Sequence, residues 1–203
     1  MTMNELDYRL FHMINEQAAL HPALNGLMSF LAQDAQYLFA LGLLVYWFTR
    51  SDTNRRMVIQ AAVAACIGLG ISFILGHLFY RDRPFAAHAV IQLIKHPANA
   101  SFPSDHAIAT FALAAAFVLN RGRMRWVWLL LAAVISFSRV YTGVHYPTDV
   151  LAGALVGILS AAGVYVLLQY SRSIHRGVSA LIHFYEAIEL KIWKDRSASA
   201  NSE

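Results

Sequence analysis

The sequence predicts an all-α, polytopic membrane protein. Five transmembrane helices form the bundle, or six if the N-terminal segment also crosses, with an amphipathic helix at each end. The first observation is composition, because 58% of the 203 residues are hydrophobic and 14% are charged, whereas soluble domains carry roughly 25% charged residues. The second is length, because about 20 apolar residues in a helix cross a bilayer. Five stretches approach or exceed this length, at about 24–48, 57–79, 104–120, 126–142 and 148–170.

The five stretches differ in character. Asp34 and Gln36 interrupt the first stretch, and the second has no charged residue. The third and fourth are shorter. The second and fifth carry small residues at every fourth position, among them Gly153 and Gly157. This spacing predicts close packing between helices. We therefore expect one transmembrane domain, residues 24–170, within a single-domain chain of residues 1–203.

The two ends of the chain have a different pattern. Residues 1–22 lack the continuous apolar run of a signal peptide and place Leu6, Leu10 and Met13 at helical spacing. They predict an amphipathic helix at the membrane interface or packed on the bundle. Residues 174–194 form a basic amphipathic stripe, which predicts an anchor on anionic membrane lipids. The final segment, 197–203, is expected to be a disordered tail.

Composition and charge also exclude several classes of protein. The high hydrophobic content excludes a disordered chain. Cys66 is the one cysteine, which excludes an internal disulfide and any multi-cysteine metal site. The formal net charge is +4, but the basic residues sit in loops and in the tail, so no nucleic-acid partner is expected. These features make no prediction of oligomeric state.

Arginine placement predicts the orientation in the membrane. Arginines cluster after the first, third and fifth stretches, at 50–56, 121–125 and 172–176. With five spans these clusters share one side, which the positive-inside rule makes cytoplasmic. Arg81, Arg83 and Arg139 then fall on the opposite side, against the trend, and need a functional reason.

Three polar clusters lie on that outer side, at 80–84, 101–106 and 138–149. Ionisable groups at a membrane helix end that face a bundle interior are functional candidates. Guanidinium groups match phosphate oxygens, so Arg83 and Arg139 are candidate phosphate ligands. Pro103 and Ser104 predict a helix start, whose free amides and hydroxyl suit an anion.

Two histidines and a carboxylate complete the predicted chemistry. His145 and Asp149 are four residues apart and share a helix face. A carboxylate bound to one imidazole nitrogen leaves the other free as a nucleophile or base. His106 could protonate a leaving oxygen. The set fits phosphoryl transfer through a phosphohistidine.

Other interpretations of the same residues remain open. His145 with Asp149 could be a structural polar pair, Arg83 an interfacial side chain, and Ser104 a helix cap. Asp105, together with both histidines and Asp149, could form a metal site, but three arginines beside a divalent cation would be costly. We therefore expect no metal and no cofactor. The other histidines, including His96, are interpreted as structural or interfacial.

These motifs resemble the type 2 phosphatidic acid phosphatase superfamily. Its three signatures are similar, in order, to Arg83-Pro84, Pro103-Ser104-x-His106 and Ser138-Arg139-x5-His145-x3-Asp149. More narrowly, the chain resembles the bacitracin-resistance undecaprenyl-diphosphatases over nearly its whole length. That likeness rests on Ala100 to His106, Gly143-x-His145-Tyr146-Pro147-x-Asp149 and Tyr185-Glu186-Ala187-Ile188.

The resemblance implies hydrolysis of undecaprenyl diphosphate to undecaprenyl phosphate and inorganic phosphate, which recycles the cell-wall lipid carrier and confers bacitracin resistance. It implies a bacterial cytoplasmic membrane location with the active site on the extracytoplasmic side. Another lipid phosphate, such as phosphatidylglycerol phosphate or phosphatidate, is the alternative substrate. A small proton-coupled transporter is the remote alternative.

The chain departs from the superfamily pattern at two positions. A lysine usually stands where this chain has Gly76, so Arg81 is a candidate for the missing phosphate contact. A glycine usually stands where this chain has Asp105. We expect that carboxylate to modulate the site by favouring protonated His106.

Overall fold

The computed structural model describes residues 3–200, and the side chains of residues 5–192. The described residues form ten helices, which confirms the all-α prediction. They are α1 (Met3–Asn15), α2 (Gln17–Leu20), α3 (Pro22–Gln33), α4 (Tyr37–Phe48), α5 (Asp52–Leu78), α6 (Pro84–Ala87), α7 (Asp105–Leu119), α8 (Arg125–Tyr141), α9 (Pro147–Tyr170) and α10 (Arg172–Ala200).

The short helix α7 is the centre of the bundle. It packs against α5, α8 and α9, and nine of its 15 residues are buried. The small residues predicted to pack do so, because a Cβ on Gly153 would lie 2.7 Å from the carbonyl oxygen of Ser104. A Cβ on Gly157 would meet the carbonyl oxygen of Ile108. This close approach fixes the start of α9 against the start of α7.

The candidate membrane spans differ in length and in continuity. Helices α5 and α9 are each long and apolar enough to cross a bilayer, and the pair α3–α4 would be a third span. That pair is bent by 51°, so the stretch expected as one helix at 24–48 is two. The break lies at 34–36, where Asp34 is exposed and interrupts the apolar run. The other two predicted stretches form α7 and α8, which are shorter than α5 and α9.

Helix α1 packs on α8 and α9 through the face opposite its leucine stripe. Asp7 and Phe11 are buried, whereas Leu6, Leu10 and Met13 are 45%, 43% and 63% exposed. The sequence left open whether this helix lies at the membrane interface or packs on the bundle, and in the structure its leucine stripe is exposed. In a membrane protein the apolar face can contact lipid, and the polar face can pair with polar groups of the bundle.

Helix α10 docks on the start of α5. Arg55 is buried there and binds Glu186 at 2.6 Å and Glu189 at 2.7 Å. Ile182 is the fully buried apolar contact of this helix. The helix continues to Ala200, beyond the point at which the sequence predicts a disordered tail. Residues 201–203 of that predicted tail lie outside the described residues.

Candidate active site

The three predicted motifs meet at one end of the bundle. They lie after the end of α5, at the start of α7, and in the turn between α8 and α9. Gly143 shapes that turn, because its φ is +83° and a Cβ would lie 2.6 Å from the carbonyl oxygen of Ile91. The turn therefore needs glycine, and it directs the following residues, including His145, into the bundle.

Arg83 is buried, and all three nitrogens of its guanidinium group have hydrogen-bond partners in the protein. Its Nη1 donates to the carbonyl oxygen of Val144 at 3.0 Å and lies 3.0 Å from His145 Nε2. Its Nε donates to Asn99 Oδ1, and its Nη2 to the carbonyl oxygen of Ala100. Burial lowers the pKa of the Arg83 guanidinium to about 10. The group therefore still carries its charge at neutral pH.

The contact with Arg83 defines the state of His145. A guanidinium N–H can only donate, so the Nε2 of His145 must accept with its lone pair. The ring proton then lies on Nδ1. Burial, reinforced by the charges of Arg139 and Arg83, lowers the pKa of His145 to about 4. His145 is therefore neutral at physiological pH, with the Nε2 lone pair facing the arginines.

Asp149 stands behind His145. Its Oδ2 lies 3.6 Å from Nδ1 of His145, which is too long for a hydrogen bond. That nitrogen has no partner at hydrogen-bond distance. The carboxylate itself is held by the hydroxyl of Ser101 at 2.5 Å, the backbone N–H of Tyr146 at 2.9 Å and Arg81 Nη1 at 3.0 Å. Catalytic hydrogen bonds are often long without substrate, so this spacing is compatible with an orienting role.

Arg139 and Ser104 supply unpaired donors. Arg139 is 1% exposed and donates from Nη1 to the carbonyl oxygen of Ala32 at 2.6 Å. Its Nε and Nη2 are buried without a partner, as is the hydroxyl of Ser104. A buried polar group that is left unpaired costs about 1–3 kcal/mol. The oxygens of a bound phosphate would accept hydrogen bonds from these three donors, and the positive charge of Arg139 would attract the phosphate.

His106 and Asp105 occupy the first turn of α7. His106 is half-buried and lies within electrostatic range of Arg139 and His145. Asp105 is exposed and accepts a 2.5 Å hydrogen bond from the hydroxyl of Ser72 on α5. The structure thus brings the two predicted histidines to the same site, His106 from the first turn of α7 and His145 from the turn before α9.

A cavity of about 760 Å³ borders this turn, and both departures from the superfamily pattern lie on its wall. Its lining includes Gly76 and Asp105, with Phe73, Phe102 and Pro103. A Cβ on Gly76 would lie 3.4 Å from the carbonyl oxygen of Phe102.

Arg81 differs from the expectation of a phosphate contact. Its Nη2 binds Asp7 at 2.7 Å, and its Nη1 binds Asp149 at 3.0 Å and Thr148 at 2.9 Å. Its guanidinium also lies 3.7 Å from the ring centre of Tyr146. Both terminal nitrogens are occupied by protein oxygens. The geometry places Arg81 against Asp149, and its expected phosphate contact stays a prediction.

Sequence reasoning missed several supporting residues. Asp7 is buried and accepts from Arg81 and from the backbone and hydroxyl of Thr148. Ser101 and Asn99 hold Asp149 and Arg83. One signal was available for Asp7, because a carboxylate on a membrane-associated helix needs a partner. Ser101 and Asn99 carried no such signal.

Metal ligands do not gather at this site. Within the part of the chain that the structure describes, no three histidine, cysteine, aspartate or glutamate side chains lie together as a group that could hold a metal ion. The donors that point into the site are guanidinium and hydroxyl groups. Their chemistry suits an anion.

Comparison with known proteins gives a consistent family. The sequence pattern of the PAP2 superfamily matches residues 57–173, which include all three motifs. The bacitracin transport permease protein BcrC of Bacillus licheniformis is 38% identical over 200 residues, covering 98% of this chain and 97% of that protein. The undecaprenyl-diphosphatase BcrC of Bacillus subtilis (strain 168) is 31% identical over 189 residues, covering 93% of this chain and 96% of that protein.

A solved structure agrees with the sequence comparison. The crystal structure of Aquifex aeolicus LpxE has a TM-score of 0.67 and 27% sequence identity, covering 81% of this chain and 99% of that one. The likeness therefore extends from the motifs to the arrangement of the helices. The chain belongs to the PAP2 superfamily and is a multi-pass membrane phosphatase.

Proposed function

We propose that this lipid phosphatase removes the terminal phosphate of undecaprenyl diphosphate, releasing undecaprenyl phosphate and inorganic phosphate. One observation carries the proposal: Arg139 and Ser104 hold buried, unpaired donors at the site of a neutral, buried His145. A phosphate group would satisfy those donors and meet a nucleophile. The substrate is supported by the name of the Bacillus subtilis relative.

The first step is attack by His145. Its Nε2 lone pair forms a bond to the terminal phosphorus, and the bond from phosphorus to the bridging oxygen breaks. Arg83 now donates to Nε2, so the incoming phosphate must draw that guanidinium to its own oxygens. The negative charge of the bound diphosphate offsets the charges of Arg139 and Arg83 and favours protonated His106, which gives its proton to the leaving lipid phosphate. Preorganised donors of this kind supply most of the rate in phosphoryl transfer.

Asp149 stabilises the positive charge that develops on the imidazole of His145. Its Oδ2 faces Nδ1 of His145 at 3.6 Å and would close to a hydrogen bond as the ring becomes charged. Arg81, with Asp7 behind it, holds the other carboxylate oxygen in place. Asp105, which accepts a hydrogen bond from Ser72, is proposed to modulate His106, its neighbour in the chain.

The second step is hydrolysis of the phosphohistidine by water. Two buried guanidinium groups supply the positive charge that a phosphate needs. We therefore propose that the reaction proceeds without a metal ion. In a bacterial cytoplasmic membrane with five spans, the site would face the extracytoplasmic side. The reaction there would recycle the cell-wall lipid carrier and confer bacitracin resistance.

The test measures inorganic phosphate released from undecaprenyl diphosphate by the purified full chain in detergent with EDTA. The parent is expected to release phosphate, and H145A to release none while eluting and melting like the parent. H183A is the matched control, because His183 lies on α10 with a side chain that is 74% exposed. Near-parental release by H145A would overturn the nucleophile assignment.

The same assay tests the substrate. Undecaprenyl diphosphate is compared with phosphatidylglycerol phosphate and phosphatidate under equal detergent conditions. The proposal requires the highest kcat/KM on the diphosphate. A higher kcat/KM on either glycerolipid would overturn the proposed substrate and leave the phosphatase chemistry in place. Activity only after magnesium is added to the EDTA-treated protein would overturn the metal-free mechanism.

A further inference from the structure

A third histidine lies at the site, outside the three motifs. His96 belongs to the loop of residues 88–103 that connects α6 to α7. Its ring packs edge-on against the ring of His145, with the ring centres 6.2 Å apart and the planes at 75°. That separation is one that a phosphoryl oxygen or a single water could bridge. The motif residues provide for the nucleophile and the acid, but they assign no role to this ring.

The segment that carries His96 is anchored to the site. The buried Ile94 packs with Ala32 and Val144. The carbonyl oxygens of these last two residues are the ones that hold Arg139 and Arg83. One residue earlier, the backbone N–H of Leu93 donates to the carbonyl oxygen of Thr142 at 3.1 Å. His96 is therefore fixed relative to both arginines and to the turn before His145.

A backbone contact sets the tautomer of His96. Its Nδ1 lies 3.0 Å from the carbonyl oxygen of Pro97. A carbonyl can only accept, so Nδ1 carries the ring proton and Nε2 keeps its lone pair. Burial lowers the pKa of His96, and the charges of Arg83 and Arg139 lower it further, against opposing effects of the hydrogen bond to Pro97 and of Asp105. The ring is thus a neutral base, and it is half-buried rather than sealed from water.

We propose that His96 Nε2 is the base that activates water for hydrolysis of the phosphohistidine at His145. The inference rests on the proposed function. The water oxygen attacks phosphorus, and the bond from phosphorus to His145 Nε2 breaks with its electron pair returning to that nitrogen. One water proton moves to His96 Nε2, inorganic phosphate leaves, and His96 then loses the proton to solvent. A separate base frees His106 to remain with the leaving lipid phosphate.

The test separates the two steps. Undecaprenyl diphosphate labelled with ³²P in its terminal phosphate is mixed with the full chain in detergent, and rapid quench follows lipid monophosphate, phosphoenzyme and free phosphate. H96N keeps a donor for the carbonyl oxygen of Pro97 and removes the base. We expect its phosphorylation rate to stay within about threefold of the parent and its turnover to fall about a hundredfold. Phosphoenzyme accumulates, and added imidazole speeds its hydrolysis.

Two further variants complete the design. H96Q, which has no basic nitrogen, is expected to behave as H96N does. H88N is the matched control, because His88 lies in the same loop but packs on Tyr8, with ring centres 4.3 Å apart. It is expected to behave as the parent. Parental turnover in H96N and H96Q would overturn the inference, as would a loss of phosphorylation equal to the loss of turnover.

Failure of the proposed function gives a different result. An active H145A variant would overturn the nucleophile assignment, and with it the step that His96 is proposed to assist. That outcome is read from H145A alone. The overturning results for His96 appear in the phosphorylation and turnover rates of H96N and H96Q while H145A stays inactive. The two failures are therefore distinguishable.

Discussion

Replacing Ser104 with alanine is expected to lower activity without lowering stability. The Ser104 hydroxyl is fully buried and has no hydrogen-bond partner. Ser104 is the N-cap residue of α7, but its side chain makes no capping hydrogen bond. The usual loss of about 1 kcal/mol on removing a serine cap therefore does not apply. The hydroxyl serves substrate binding instead, in the proposed mechanism.

The expected magnitudes follow from these contacts. A buried polar group without a partner costs about 1–3 kcal/mol, so S104A should melt at or above the temperature of the parent. A hydrogen bond to a charged phosphate contributes about 1.5–3 kcal/mol. Since about 1.4 kcal/mol corresponds to a factor of ten, kcat/KM should fall roughly 10- to 100-fold.

The assay combines thermal unfolding in detergent with steady-state release of phosphate. S160A is the matched control, because the Ser160 hydroxyl on α9 is also buried without a partner, and Ser160 lies outside all three motifs. It should match S104A in stability and the parent in kcat/KM. A drop in the Tm of S104A below that of both S160A and the parent would refute the reasoning. So would a kcat/KM of S104A within twofold of the parent.

Three further perturbations test the packing, the C-terminal helix and the nucleophile. G157A should lose activity and have a lower Tm, because the new Cβ would overlap the backbone of α7 at a typical cost of about 1–3 kcal/mol. G163A is the control and should keep the activity and the Tm of the parent, because a Cβ on Gly163 would meet no atom within 4 Å. R55M should lower the Tm more than R50M does, because Arg55 is buried and Arg50 is exposed. R55M should also make α10 more accessible to limited proteolysis. Equal effects of the two substitutions would contradict the docking of α10. Burial lowers the pKa of His145 to about 4. The rate of phosphoenzyme formation, measured by rapid quench, should therefore stay constant from pH 7 to about pH 5 and fall toward pH 4 as Nε2 is protonated. A midpoint near pH 6.5 would contradict this expectation, because it would indicate a histidine with an unperturbed pKa.

Much of the candidate site could be predicted because its charged residues are unusual in a strongly apolar chain. Arg83, Arg139 and Asp149 carry charge in a chain that is otherwise strongly apolar, and such groups need partners or a function. Their motif spacing placed them at helix ends. The structure brings these residues together with His145 and His106 as expected. The burial of Arg139 with two unpaired donors required the packed structure.

Long-range pairing was beyond sequence patterns. Asp7 binds Thr148 across 141 residues of sequence, and helical periodicity carries no information at that separation. The same holds for the pairing of Arg81 with Asp7 and Asp149, which forms because α1 folds over the start of α9. The sequence left the placement of α1 open, because the periodicity identifies an apolar stripe without saying whether lipid or protein covers it.

The sequence by itself determined the class of this protein. Apolar stretches near the length of a bilayer require helices, since every backbone polar group in hydrocarbon must be bonded within its own segment. The motif order then indicated phosphoryl transfer. Only the tertiary structure decided which groups lie in contact. The tautomer of His145 and the pairing of Arg81 with Asp7 depend on contacts between distant segments. Those contacts follow from how the helices pack, which no local pattern encodes.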